Sequence, residues 1–226
     1  MENVCNNINK LLENIKQYSK KARLMAVSKT FPYEKVKEAY NCGQRLFGEN
    51  RVQEAIEKIE LSKEDHLDIE WHLIGHLQKN KAKKAVLYFD CIESIDSLEL
   101  AKRVDRYAKE FDKTLSIMLE VNVAKEPQKY GFLEDELFNS MDEILKLKNV
   151  DIIGLMCVAP VAEDANEIAW VFKRLRDIKD AINDKYKTNI QELSMGMSND
   201  YKVALKEGST IIRIGRGIFG ERNYIK

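Results

Sequence analysis

The chain has 226 residues and 44% of them are apolar, so it can bury a sizeable core and is not a disordered segment. Lys and Arg number 37, as do Asp and Glu, for a formal charge of zero. That balance excludes a general nucleic-acid binder, which needs a basic stripe, and polybasic membrane docking.

The chain opens without a signal-like apolar stretch, and Val4, Ile8, Leu11, Ile15 and Tyr18 recur at helical spacing. A strand-length apolar run follows at 24–27, then a helix over 34–42, a strand at 45–48 and a helix over 51–61. A strand at 71–74 leads to a helix over 79–88, and another strand covers 91–95. Asp96 and Glu99 offer a capping box to the helix striped by Ala101, Val104, Ala108 and Phe111. Next come a strand at 115–122, a helix on Leu133, Leu137, Met141 and Ile144, and a strand at 152–157. A helix on Ile168, Phe172, Leu175, Ile178 and Ile182 precedes a strand at 192–194, a helix over 200–207 and a strand at 211–214.

Several of these strands are apolar at successive positions, as in sheets buried on both faces. Strict alternation of strand and helix means a parallel sheet. Eight such units in about 200 residues predict a single (β/α)8 TIM-type barrel over 1–226, with an extra N-terminal helix. The rival is an open doubly wound sheet, which wants a glycine-rich first turn. Here the first strand runs into Ser28-Lys29-Thr30-Phe31-Pro32, with no glycine. The longest apolar run, Ile152 to Ala162, falls far short of the ~20 residues of a membrane span. Cys5, Cys42, Cys91 and Cys157 form no CxxC pair, so neither a zinc ribbon nor a disulfide framework is predicted. The expectation is a reduced, cytoplasmic protein.

Barrel active groups come from the C-terminal ends of strands. Lys29 directly follows the first strand. In a partly dry site a lysine amine loses its proton readily and can form a Schiff base with an aldehyde, although most lysines are solvated surface charges. Ser194-Met195-Gly196-Met197-Ser198 and Arg213-Ile214-Gly215-Arg216-Gly217 close the last two strands. Small residues there let N–H groups approach a phosphate, and a helix start adds a favourable dipole; the same glycines would also serve plain tight turns. His72 and His76 are four apart but straddle a strand end and its loop, with no third ligand, so no metal site is predicted and His72 reads as a hydrogen-bonded rim residue.

These features lie in ordered blocks: 26–30, 47–54, 70–81, 154–156, 193–198, 213–215 and 218–220. Among them are Ala26-Val27-Ser28-Lys29-Thr30, Trp71-His72-Leu73-Ile74-Gly75 and Leu193-Ser194-Met195-Gly196-Met197-Ser198. With them the sequence resembles the pyridoxal 5′-phosphate homeostasis proteins, a family similar to the barrel domain of bacterial alanine racemases. The resemblance implies that Lys29 carries the cofactor as an internal aldimine. It implies that Ser194, Gly196, Ser198, Gly215 and Arg216 hold the phosphate. Asn50 would sit beside the cofactor, Met195 would pack near it, and Arg213 would face the pyridine nitrogen.

An acidic partner keeps that nitrogen protonated and the electron sink strong, whereas a permanent arginine charge disfavours a second positive charge beside it. Related racemases also take an opposing tyrosine from a second domain, and the sequence ends six residues after Gly220. The expectation is therefore a non-enzymatic carrier or buffer of pyridoxal phosphate, a monomer or weak dimer that could pass its cargo to apo-enzymes. The alternatives are an amino-acid racemase using this cofactor and a barrel aldolase using Lys29.

Overall fold

The computed structural model describes residues 3–221, so Met1, Glu2 and the chain end at Lys226 lie outside the described residues. Its strands are Arg23–Val27 (β1), Leu46–Glu49 (β2), Glu70–Leu73 (β3), Cys91–Ile95 (β4), Leu115–Glu120 (β5), Val150–Met156 (β6), Glu192–Ser194 (β7) and Ile211–Ile214 (β8). They form one closed parallel barrel in sequence order. Closure is made by β8 on β1, with Arg23 opposite Ile211 and Met25 opposite Arg213. Helices Val4–Tyr18 (α1), Tyr33–Asn41 (α2), Val52–Glu64 (α3), Ala82–Tyr88 (α4), Leu98–Glu110 (α5), Glu134–Ile144 (α6), Ala169–Tyr186 (α7), Tyr201–Lys206 (α8) and Arg216–Phe219 (α9) surround it. The (β/α)8 reading therefore holds, extra N-terminal helix included.

The strand pleat sorts the side chains into two cores. Leu24, Ala26, Phe47, Trp71, Leu193 and Ile212 pack outward against the helices. Met25, Leu46, Cys91, Met118, Met156 and Ile211 form a separate cluster inside the barrel. Unbranched methionines suit this irregular interior. Gly48 makes room for one of them, since a Cβ there would stand 2.5 Å from Met25 Sδ. Burying a side chain of this size contributes about 1.5–3 kcal/mol.

α1 buries Val4, Ile8 and Ile15 and ties itself to α9 by a bond from Asn7 Nδ2 to the Ile218 carbonyl at 3.1 Å. It is also joined to α2 by a disulfide, Cys5–Cys42, with 5.1 Å between the Cα atoms. This corrects the expectation of an unbridged chain: the two cysteines are 37 residues apart, and only the docking of α1 across the barrel's outer wall brings them together. Cys91 and Cys157 are buried free thiols. The capping box is also corrected. Ser97 caps α5, its hydroxyl accepting from Leu100 N, while Glu99 pairs with Lys79 and Arg103. α9 was not predicted, because its four residues leave no periodicity to read. Among the described residues no helix is long and apolar enough to cross a membrane.

Candidate functional site

The C-terminal mouth of the barrel holds a cavity of about 400 Å³, a size that suits a small ligand. It brings together Lys29, Ser198, Arg213, Gly215 and Arg216, with residues 159–162 of the loop after β6 as its outer wall. Asn50, Ser194, Met195 and Gly196 do not line it. Met195 points outward and is fully buried in the core between sheet and helices. Asn50 is half-buried at the end of β2 beside Gly75, with a buried side-chain oxygen that has no partner among the described residues.

Lys29 is half-buried, and its flanking backbone is clamped. Ser28 Oγ donates to Glu49 Oε1 at 2.7 Å, and the Ser28 carbonyl accepts from Lys58 Nζ at 2.9 Å. On the other side Thr30 adopts φ +68°, in the left-handed region that costs a threonine energy, and its N–H donates to Glu54 Oε1 at 2.5 Å. Lys58 joins both carboxylates, at 2.7 Å to Glu49 and 3.0 Å to Glu54. Burial pushes the Glu49 carboxyl up from the usual carboxylate range, against the pull of Lys58.

Gly215 lines the opposite wall, and Gly196 stands behind it. Gly196 has φ +96°, and a Cβ on it would stand 2.6 Å from Ala204 Cβ. A Cβ on Gly215 would press on the Val27 carbonyl at 3.2 Å. Asp200 Oδ1 accepts from Met197 N at 2.5 Å and holds the turn between β7 and α8. Among the described residues, the N–H groups of Ser198, Asn199, Arg216 and Gly217 donate to no other backbone group. An amine on one side, a nest of such N–H groups on the other and a cationic floor fit a phosphorylated aldehyde.

The floor is Arg213, buried in β8. Its Nη1 donates to the Ser194 carbonyl at 2.6 Å and to Ser194 Oγ at 2.8 Å, and its Nη2 donates to the Cys157 carbonyl at 2.7 Å. The Ser194 hydroxyl thus faces into the barrel, where it donates to Glu93 Oε2 at 2.5 Å. Glu93 Oε1 meets His72 Nδ1 at 2.6 Å, and His72 Nε2 meets Glu70 Oε1 at 2.8 Å. His72 is therefore no rim residue; the β3 pleat turns it fully inward. Burial opposes its charge, but the bonds to Glu70 and Glu93 outweigh that and push it up to about 9. Burial likewise opposes the Glu93 charge, yet His72, Arg213 and Ser194 hold its carboxyl below the usual range. Glu120, at the end of β5, is pushed up to about 7 by burial and by nearby Asp96, against the pull of Arg213. Sequence reasoning missed Glu93, Glu120 and Lys58. The signal for the first two was a carboxylate inside an otherwise buried strand; Lys58 gave none, since it reads as one more helix-surface lysine.

The fold and this cavity define a barrel of the alanine racemase N-terminal type, and the profile of the family described as "Alanine racemase, N-terminal domain" matches residues 3–223. The chain belongs to the pyridoxal phosphate homeostasis protein family. It is 38% identical to the pyridoxal phosphate homeostasis protein of Aquifex aeolicus over 98% of this chain and 100% of that one. It is similar to PipY of Synechococcus elongatus, solved with pyridoxal phosphate bound, with a TM-score of 0.89 and 39% identity over 96% of this chain and 100% of that one. A Clostridium difficile alanine racemase shares the fold alone, with a TM-score of 0.79 and 16% identity over 98% of this chain and 60% of that one.

Proposed function

We propose that this chain binds pyridoxal 5′-phosphate covalently through Lys29 and acts in its homeostasis inside the cell, as a carrier or buffer rather than a catalyst. When bound, the cofactor supplies a reactive aldehyde and an electron-withdrawing ring. Lys29 Nζ would hold the aldehyde carbon, a bond that a competing amine can displace. Ser198, Gly215 and Arg216 would hold the phosphate, with Met195 and Gly196 supporting that wall from behind, while the Ser194 hydroxyl lies below it against Arg213. Asn50 would sit on the edge nearest β2. The naming of the relatives and the cofactor in PipY support this reading.

The observation that carries the non-catalytic part is Arg213. It is a permanent cation, buried, and tied by three hydrogen bonds where the ring nitrogen would lie. A guanidinium there donates to a neutral nitrogen and disfavours its protonation, which weakens the electron sink. The test is to mix loaded protein with an apo-enzyme that needs the cofactor, with a free-cofactor trap as control, and to assay common L-amino acids for racemisation. Transfer faster than release into the trap, with negligible racemisation, is expected. Robust racemisation, abolished in Lys29→Ala, would replace this reading with a racemase.

A further inference from the structure

We propose that Glu93 and His72 are positioning residues for Arg213, acting through the Ser194 hydroxyl to hold the guanidinium against the cofactor's ring nitrogen. This rests on the reading of Arg213 given above. The basis is a single file of groups along the barrel axis, buried from Arg213 to His72 and half-exposed at Glu70 and Arg23. From the C-terminal mouth inward it runs Arg213, Ser194, Glu93, His72, Glu70 and Arg23, with successive contacts of 2.8, 2.5, 2.6, 2.8 and 2.8 Å. Its charged members alternate in sign from one end to the other. The pleats of β1, β3, β4, β7 and β8 put them on the inward faces of their strands, among Met25, Cys91, Met118 and Met156. Charges are kept in such surroundings only when each is paired.

Arg213 has no carboxylate within ion-pair distance among the described residues. Glu120 and Asp200 act on it through space, and Glu93 alone reaches it through a hydrogen-bonded hydroxyl. A serine has a single hydroxyl proton, and here Glu93 takes it. The oxygen lone pairs are therefore left to Arg213 Nη1, and the guanidinium is held from below. A glutamine at position 93 has one acceptor for the two groups that Glu93 receives, so its amide NH2 must face either the Ser194 oxygen, in competition with Arg213, or His72, which then gives up its ring proton. His72 supports the arrangement by donating to the other Glu93 oxygen, and it is itself fixed by Glu70. A file that served stability alone would not affect how the mouth reads a ring nitrogen.

The test compares pyridoxal 5′-phosphate with its 1-deaza analogue, in which a C–H replaces the ring nitrogen, as ligands of wild type, Glu93→Gln and Ser194→Ala. Wild type is expected to prefer the natural cofactor. Both variants should lose about tenfold of that preference, the value of one charge-assisted hydrogen bond, while binding of the analogue changes little. In the cofactor-free proteins, the His72 imidazole signals should show a charged ring at pH 7.5 in wild type and an altered titration in Glu93→Gln. Folded variants that keep the full wild-type preference would overturn the positioning role and leave Arg213 at the ring nitrogen. Wild type with no preference would overturn that placement and this proposal together. Should Glu93→Gln fail to fold, Ser194→Ala decides, because it removes one hydroxyl and leaves the backbone bonds of Arg213 in place.

Discussion

Lys58 and Glu49 form a buried ion pair at 2.7 Å, and the pair stands behind the backbone of Lys29 rather than at its amine. Lys29, the proposed cofactor lysine, is thus aimed from an outer helix, α3, through the Ser28 carbonyl. Removing one partner of a buried pair costs about 3–5 kcal/mol, because the other charge is left uncompensated. Lys58→Met should lose that much in urea unfolding at pH 8. The loss should shrink as pH falls, because a Glu49 carboxyl raised by burial takes up a proton before an ordinary carboxylate does. A loss that stays equal down to the usual carboxylate range would show that Glu49 does not take up a proton above it, against a carboxyl raised by burial.

The pH dependence of stability should slope downward through neutrality. His72 is raised from 6.5 to about 9 in the folded chain. Its contribution is complete below pH 6.5 and is lost as pH rises toward 9, because the native state there binds more protons than the unfolded one. Glu120, raised from 4.5 to about 7, acts in the same direction at lower pH, since its ionisation above 7 is opposed by burial. Together they should lower the unfolding free energy by a few kcal/mol between pH 5 and 9. Denaturant unfolding across that range checks it, and His72→Gln should flatten the upper half. A wild-type curve already flat from 6.5 to 9 would contradict a charged, paired His72.

Gly196 and Gly208 make a matched pair of substitutions. Both have positive φ, but only Gly196 is crowded, by Ala204, whereas the nearest atom to a Cβ on Gly208 is the flexible Arg176 side chain at 3.5 Å. Gly208→Ala should cost about 1–2 kcal/mol, the left-handed penalty alone. Gly196→Ala should cost roughly 1–3 kcal/mol more from overpacking, and should weaken binding of the phosphorylated cofactor more than that of pyridoxal. Equal costs for the two would mean that the wall beside Ala204 yields.

Reduction of Cys5–Cys42 should destabilise the fold by about 4 kcal/mol on the loop-entropy estimate for a 37-residue separation. The melting temperature with and without a dithiol reductant measures it, and Cys42→Ser should melt like the reduced chain. Identical melting would mean that α1 is held by the burial of Val4, Ile8 and Ile15 and by the Asn7–Ile218 bond, without the disulfide.

The barrel was legible because its strands are buried on both faces. Ile152 to Cys157 and Ile211 to Ile214 read as apolar at nearly every position, and the observed strands end within about two residues of the predicted ones. The apolar pattern of β5 runs to residue 122, but the strand ends at Glu120, because the chain then leaves the sheet and Val121 makes an isolated bridge to Phe132. Lys29, Ser198, Arg213, Gly215 and Arg216 were legible as a group because rim position follows from strand ends. Which way Ser194 and Met195 point was not. A shift of one position in a pleat exchanges cavity for core, and the three-residue β7 gives no alternation from which to fix it. The axial file was illegible for another reason: Glu70, His72, Glu93 and Arg213 sit on three strands, and only closure of the barrel makes them neighbours.

The most direct test of the central claim is borohydride reduction of protein loaded with pyridoxal 5′-phosphate, followed by mass measurement and peptide mapping. One reduced cofactor per chain, carried on Lys29 and absent from Lys29→Ala that still folds, is the result this account requires. Reduced cofactor on another lysine of the native protein, or none despite saturating cofactor, would contradict it.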